Sequence, residues 1–206
     1  KADLAKYPDS ARFGGGSAWS TPAIDVKSDT LFFGTGNPSP QMNDISRPGD
    51  NLYTVSLVAL DVNTGVRKWH YQQVPHDLWG YDLASPPVLF NYHFNGKNIA
   101  AVGQASKTGW FYIHDRATGK LLKKSDAFVP QQNMFKKATF EGTTVYPGIL
   151  GGSNWSPVSL DEKNQRVFIA GIHAPIKYTL HETPSSNGKA AIRYAASEPT
   201  QDPRWG

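Results

Sequence analysis

The chain is a succession of short apolar runs separated by turn residues. Thr30-Leu31-Phe32-Phe33-Gly34, Thr54-Val55-Ser56-Leu57-Val58-Ala59-Leu60-Asp61 and Gly109-Trp110-Phe111-Tyr112-Ile113-His114-Asp115 set the pattern. These runs are rich in β-branched and aromatic side chains and are bounded by Gly, Pro, Asn or Asp, which favours strands over helices. The pattern predicts a four-strand series at 19–25, 30–34, 54–61 and 66–72, and a second at 85–90, 98–103, 109–115 and 120–124. Residues 35–53 lie between strands of the first series and carry Pro38, Pro40 and Pro48. A loop of that length in a compact protein usually has a function.

The series repeat. Asp61-Val62-Asn63-Thr64-Gly65-Val66 and Asp115-Arg116-Ala117-Thr118-Gly119-Lys120 read as the same hairpin. Trp19-Ser20-Thr21-Pro22-Ala23-Ile24-Asp25 is answered by Trp155-Ser156-Pro157-Val158-Ser159-Leu160-Asp161, and Leu31-Phe32-Phe33-Gly34 by Val167-Phe168-Ile169-Ala170. Repeats of four short strands, about 40–50 residues each before insertions, are propeller blades. The expected fold is all-β, a β-propeller of four-stranded antiparallel blades, with blade-like units at about 19–72, 85–124 and 155–206. Trp69 follows the first Thr-Gly turn, where a large flat ring can pack against the next blade. The second unit has Lys123 in the corresponding place. Beyond Ile172 the regularity fades: 183–188 reads as a loop and 198–206 as an unfinished blade. Propellers close with roughly four to eight blades. The remaining blades are therefore expected from the same precursor or from another chain.

Composition narrows function more than fold. There is no cysteine, so disulfides, thiolate metal sites and cysteine nucleophiles are excluded for this chain. The formal charge of +4 is scattered, with small pairs at Lys123-Lys124 and Lys136-Lys137. No nucleic-acid-binding module accompanies it, so nucleic acid is not an expected partner. No apolar run reaches the roughly 18 residues of a membrane helix, and no signal-peptide pattern opens at Lys1. A Gly-x-Ser-x-Gly elbow is absent, which leaves a hydrolase reading without support.

The chemistry concentrates in the loops. Gly14-Gly15-Gly16-Ser17-Ala18-Trp19, Gly34-Thr35-Gly36-Asn37-Pro38-Ser39-Pro40, Arg47-Pro48-Gly49-Asp50-Asn51, Pro75-His76-Asp77-Leu78-Trp79, Lys107-Thr108-Gly109 and Gly151-Gly152-Ser153-Asn154-Trp155 occur in that order. Taken alone, Trp19 reads equally as a structural indole, Asn37 as a turn residue, Lys107 as a turn lysine, and His76 and Asp77 as hydrogen-bonding loop residues. Together, over most of 13–171, these blocks resemble the pyrroloquinoline quinone (PQQ)-dependent alcohol dehydrogenases of the methanol and ethanol dehydrogenase type. The likeness is to a middle segment only, without the family's upstream glutamate ligand and adjacent-cysteine pair.

That resemblance implies an eight-bladed propeller that oxidises an alcohol or a sugar with PQQ and a calcium or lanthanide ion. Electrons would pass to a cytochrome c or a membrane quinone, in the periplasm or outside the cell. It implies that Trp19 stacks on the quinone, that Lys107, Asn154 and Trp155 contact it, and that Asn37 gives the metal an amide oxygen, which suits a hard cation. One position departs from the family. Gly80 stands where the family usually has its catalytic aspartate. Asp82 matches a position where lanthanide-using members carry an extra aspartate; it reads as a metal ligand, a substitute base or an exposed loop acid. The departure keeps a second reading open, a non-catalytic propeller that binds a partner protein.

Overall fold

The computed structural model describes residue 6, residues 14–42 and 47–182, and residues 183 and 192–199 as backbone. Apart from the helical Lys6, every regular element within them is a strand. The first series folds as one antiparallel sheet in the order β1 (Ala23–Asp25), β2 (Thr30–Gly34), β3 (Ser56–Asp61), β4 (Arg67–Gln72). The second does the same with β5 (Val88–Phe94), β6 (Lys97–Ala105), β7 (Phe111–Asp115) and β8 (Leu121–Lys124). These are two propeller blades, and the expected all-β, four-stranded architecture is the one observed.

The hairpin closing each blade repeats in its chemistry. Asp61 Oδ1 accepts the Asn63 and Thr64 N–H groups and the Thr64 hydroxyl, and Asp115 Oδ1 accepts the equivalent groups of Ala117 and Thr118. Gly65 and Gly119 then take positive φ, +69° and +74°, a region that favours glycine.

Several strand boundaries shift by one to three residues, and two shift by four. β1 begins at Ala23 rather than at Trp19, because Ser20 is drawn aside to donate its hydroxyl to the Ala84 carbonyl and Pro22 has no N–H for a ladder. β5 runs on to Phe94 and turns through Asn95-Gly96, both at positive φ, the two-residue hairpin that Asn-Gly favours.

In the third unit, β10 (Ser159–Asp161) and β11 (Arg166–Phe168) form a two-stranded hairpin. The chain then crosses to β12 (Ile176–Thr183), which pairs with β13 (Ile192–Pro199) and with β9 (Thr143–Val145). This pairing brings Val145 opposite Ile176, and both are buried. Residues 184–191 and 200–206 of that unit, and with them most of the expected loop and tail, lie outside the described residues.

The units stack through two cores. Phe32, Leu57, Ala59, Trp69 and Val102 join blade one to blade two and continue to Val145 and Tyr178. Phe90, Ala101, Phe111 and Ile113 meet Leu160, Val167 and Ile169 around the β10–β11 hairpin. Trp69 packs as the sequence predicts. Its indole N–H donates to Arg116 O at 3.0 Å, and its ring lies on Gly119, where a Cβ would come within 2.6 Å of it. Arg116 in turn bonds Ala101 O and Phe90 O and reaches Asp25 Oδ2 at 3.2 Å. On the other side, Glu162 Oε1 accepts both the N–H and the side-chain amide of Asn91, at 2.7 and 2.8 Å.

Candidate functional site

Three loops converge at one end of the blades. The first leaves β2 through Thr35-Gly36-Asn37. Thr35 anchors it: its hydroxyl donates to Tyr53 O at 2.6 Å and accepts the Ser56 N–H at 2.9 Å, and its carbonyl accepts the Leu83 N–H. The second is the link from β4 to β5, residues 73–87. The third, Ser106-Lys107-Thr108-Gly109, turns between β6 and β7.

Asp82 is where they meet. Its Oδ1 accepts the Asn37 N–H at 2.6 Å, and its Oδ2 accepts Lys107 Nζ at 2.7 Å. Lys107 Nζ also donates to Gly80 O at 2.9 Å. Gly36 must lack a side chain here, since a Cβ would stand 2.9 Å from Asp82 Oδ1. Thus Asn37, Asp82 and Lys107, three of the residues singled out in the sequence, form one connected group. It is largely withdrawn from water, with Lys107 and Asp82 side chains 7% and 13% exposed.

The link is shaped by Asp77. This carboxylate is buried, and its two oxygens accept the N–H groups of Trp79 and Tyr81 at 3.0 and 2.9 Å. Burial pushes its pKa up to about 6, against the opposing pull of those two N–H groups and of Arg47. Arg47, also buried, donates to Asp77 O at 2.6 Å, to Asn51 Oδ1 and to Pro40 O. The Tyr81 hydroxyl donates to Pro147 O, and Tyr178 donates to Trp79 O. The turn so held gives Gly80 a φ of +75° and aims its carbonyl at Lys107. Asp77 is therefore a hydrogen-bonding turn residue, as it reads in the sequence taken alone. His76 bonds Gly49 O through Nδ1 at 2.7 Å and is structural as well.

Residues 151–154 cover Lys107. The Gly152 N–H donates to Lys107 O at 2.8 Å, and a Cβ on Gly151 would fall 2.3 Å from Lys107 Cγ. Asn154 Nδ2 donates to Leu150 O at 3.0 Å, while Asn154 Oδ1 and Ser153 Oγ are buried with no hydrogen-bond partner. Buried polar atoms without partners are uncommon and call for a ligand or a water. Trp19 and Trp155 are exposed, 47% and 64%. Their neighbours converge: Ser20 donates to Ala84 O, and Ser85 donates to Ser156 O at 3.3 Å. Both indoles thus stand on segments tied to residues 84–85, just beyond Asp82.

Sequence reasoning gave no role to Gln41, and none to Arg47 or Ser153 although both lie in the quoted blocks. Arg47 acts through two backbone carbonyls and Asn51 Oδ1, and Ser153 through burial, which no residue pattern specifies. Gln41 lies against Gly80, a proximity set by the fold of the 35–55 loop.

The family model described as the glucose/ethanol/alcohol dehydrogenase β-propeller domain of PQQ enzymes matches residues 2–133. The chain is 34% identical, over 79% of its length, to a quinohemoprotein alcohol dehydrogenase of Comamonas testosteroni, of which it covers 25%. It is 35% identical, over 72% of its length, to a lanthanide-dependent methanol dehydrogenase of Methylorubrum extorquens, of which it covers 24%. The crystal structure of the Comamonas testosteroni quinohemoprotein alcohol dehydrogenase superposes on 96% of this chain and 35% of that one, with a TM-score of 0.77 and 28% identity. The chain spans about a quarter of the length of these curated relatives.

Proposed function

Since the chain belongs to the PQQ-dependent glucose/ethanol/alcohol dehydrogenase β-propeller family, we propose that it supplies part of the active site of a quinoprotein that oxidises an alcohol or a sugar. The observation that carries this reading is the Asn37–Asp82–Lys107 group beside the unpartnered Asn154 and Ser153 atoms.

The residues fit both cofactors as parts of larger sites. The amide of Asn37 and the carboxylate of Asp82 offer hard oxygen ligands of the kind calcium and lanthanide ions take. Among the described residues no three His, Cys, Asp or Glu side chains gather, so this chain would contribute a share of such a site. Lys107, Asn154 and the exposed indoles of Trp19 and Trp155 suit a planar, polar-edged ring. When bound, PQQ would supply the two-electron oxidation and the cation would supply Lewis acidity.

The chain's own residues do the rest. Lys107 sets a fixed positive charge, held by Gly80 O and Asp82, where negative charge develops. Asp82 is the carboxylate placed to take the substrate's hydroxyl proton: each of its oxygens accepts one hydrogen bond and keeps a further lone pair. Asn37 orients Asp82 through its backbone N–H. A cytochrome c or membrane quinone would take the electrons, which fits a periplasmic or extracellular enzyme.

One feature favours a second reading. Gly80 has no side chain to act as a base, as a partner-binding propeller without activity would allow. Titration of the intact protein with PQQ in calcium or lanthanum, followed by absorbance, separates the two. The expected result is quinone uptake with dye-coupled alcohol oxidation, and a loss of about a hundredfold or more in kcat for Asp82→Ala. Absence of quinone uptake overturns the enzyme reading in favour of the scaffold.

A further inference from the structure

Gly80 is buried, and the direction in which a side chain would leave it is already filled. An added Cβ would meet Gln41 Nε2 at 1.9 Å and Ile149 Cγ1 at 3.0 Å. Gln41 itself is exposed, so its carboxamide forms the solvent side of the wall over Gly80. The opposite side of the same residue carries the Lys107 contact, through Gly80 O. Gln41 and Asn37 come from one loop, and they bracket the Gly80–Asp82 turn: Asn37 bonds Asp82, and Gln41 rests on Gly80. Among the described residues nothing hydrogen-bonds the Gln41 carboxamide. Its Nε2 rests over Gly80, where the side chain of any other residue would leave the backbone, and its donors and acceptor are uncommitted among the described residues.

We propose that Gln41 is a substrate-positioning residue, whose carboxamide over the bare Gly80 binds a second hydroxyl of the substrate beside the Asp82–Lys107 pair. This rests on the enzyme reading above. A carboxamide stays uncharged at all working pH and cannot serve as the base, so its contribution is orientation. Donor and acceptor together match a hydroxyl group, which can accept from the N–H and donate to the C=O. A substrate with a neighbouring hydroxyl gains that contact, and a simple primary alcohol does not. The preferred substrate class is therefore a polyol or a sugar.

The test compares glycerol with n-propanol, which have equal carbon chains, in the intact quinone-loaded protein. Gln41→Leu keeps the wall and removes its hydrogen bonds. The expected result is a fall in kcat/KM at least about tenfold greater for glycerol than for n-propanol, the size of one lost hydrogen bond. Gly80→Ala, whose methyl group displaces the carboxamide, is expected to lower the same ratio with Gln41 intact. Quinone stoichiometry and absorbance, measured on each variant, report whether the site is still assembled. Normal quinone binding with an unchanged glycerol-to-propanol ratio in Gln41→Leu overturns this inference alone. A wild-type protein that takes up no quinone overturns the enzyme reading and this inference together.

Discussion

Gly151 and Gly65 both sit at positive φ, +77° and +69°, yet their side-chain space differs completely. A Cβ on Gly65 meets nothing within 4 Å, whereas one on Gly151 would fall 2.5 Å from Lys107 Cα. Backbone atoms cannot swing aside as a side chain does. Gly65→Ala should therefore cost about 1 kcal/mol of stability, from backbone conformation alone. Gly151→Ala should cost several times that and weaken quinone uptake by about tenfold or more, because Lys107 must move. Urea unfolding and PQQ titration of the intact protein check the pair. A second residue-scale prediction concerns His114. It is fully buried among Trp69, Tyr71 and Tyr112, with Nδ1 3.1 Å from Gly119 O and Nε2 unpartnered, and burial pushes its pKa down to about 4. The folded state holds it neutral where the unfolded chain, near the ordinary 6.5, takes up a proton. Its contribution is present above pH 6.5 and is lost as the pH falls towards 4. Asp77, raised to about 6, has the opposite sign: its contribution is present at low pH and is lost as the pH rises through 6. Wild type minus His114→Phe isolates the first effect. That difference in unfolding free energy should grow by roughly 3 kcal/mol from pH 4 to 6.5, and a flat difference would contradict it. At this scale the sequence singled out residues that the structure brings together, Asn37, Asp82 and Lys107. It was not legible where burial decides: nothing in the sequence marks His114 as neutral or Ser153 as unpartnered.

The hairpin is the element on which the stacking turns. Asp-x-x-Thr-Gly could be read from the chain because every bond that closes it is local: Asp61 serves Asn63 and Thr64, and Asp115 serves Ala117 and Thr118. Asn95-Gly96 carries an equally local signal, and it sets the true end of β5 at Phe94. The sheet of β9, β12 and β13 could not be read in the same way. The β9–β12 partners are distant in sequence, Thr143–Val145 against Ile176–Tyr178, and β9, three residues long, shows no period of its own. Trp69 joins the two levels, since its place after the Thr-Gly turn is local and its partner is the next blade's hairpin. Trp69→Phe keeps an aromatic ring on Gly119 but leaves Arg116 O without the indole N–H. The expected cost is about 1 kcal/mol, that of a lost hydrogen bond to a part-buried acceptor, measured by urea unfolding. A neutral result would mean that area alone, without the hydrogen bond, joins these blades.

Across the whole molecule, the site is a product of how the units sit beside one another. Asn37 comes from blade one, Asp82 from the link between the blades, Lys107 from blade two, and Asn154 from the segment before β10. None of these units could hold the group by itself. The repeats made the blades readable one by one, but the contacts between them are long-range and leave no pattern in the sequence. Inter-unit contacts far from the site should accordingly matter to it. Arg116 is the clearest case. Its guanidinium bonds two carbonyls of blade two and reaches Asp25 of blade one, with 16% and 12% of the two side chains exposed. It lies at the opposite end of β7 from the Lys107 turn. Lys68 and Asp61 offer the contrast: their ion pair, 3.4 Å long and 32% and 26% exposed, stays within blade one, and pairs of that kind contribute little. Arg116→Ala should loosen the angle between the blades and weaken PQQ affinity several-fold without touching any residue that would hold the quinone. Lys68→Ala should leave PQQ affinity within about twofold. Titration of both variants of the intact protein decides the matter. Equal affinities would show that the Asn37–Asp82–Lys107 bonds themselves hold the blades in register, so that the site organises the stack rather than the stack the site.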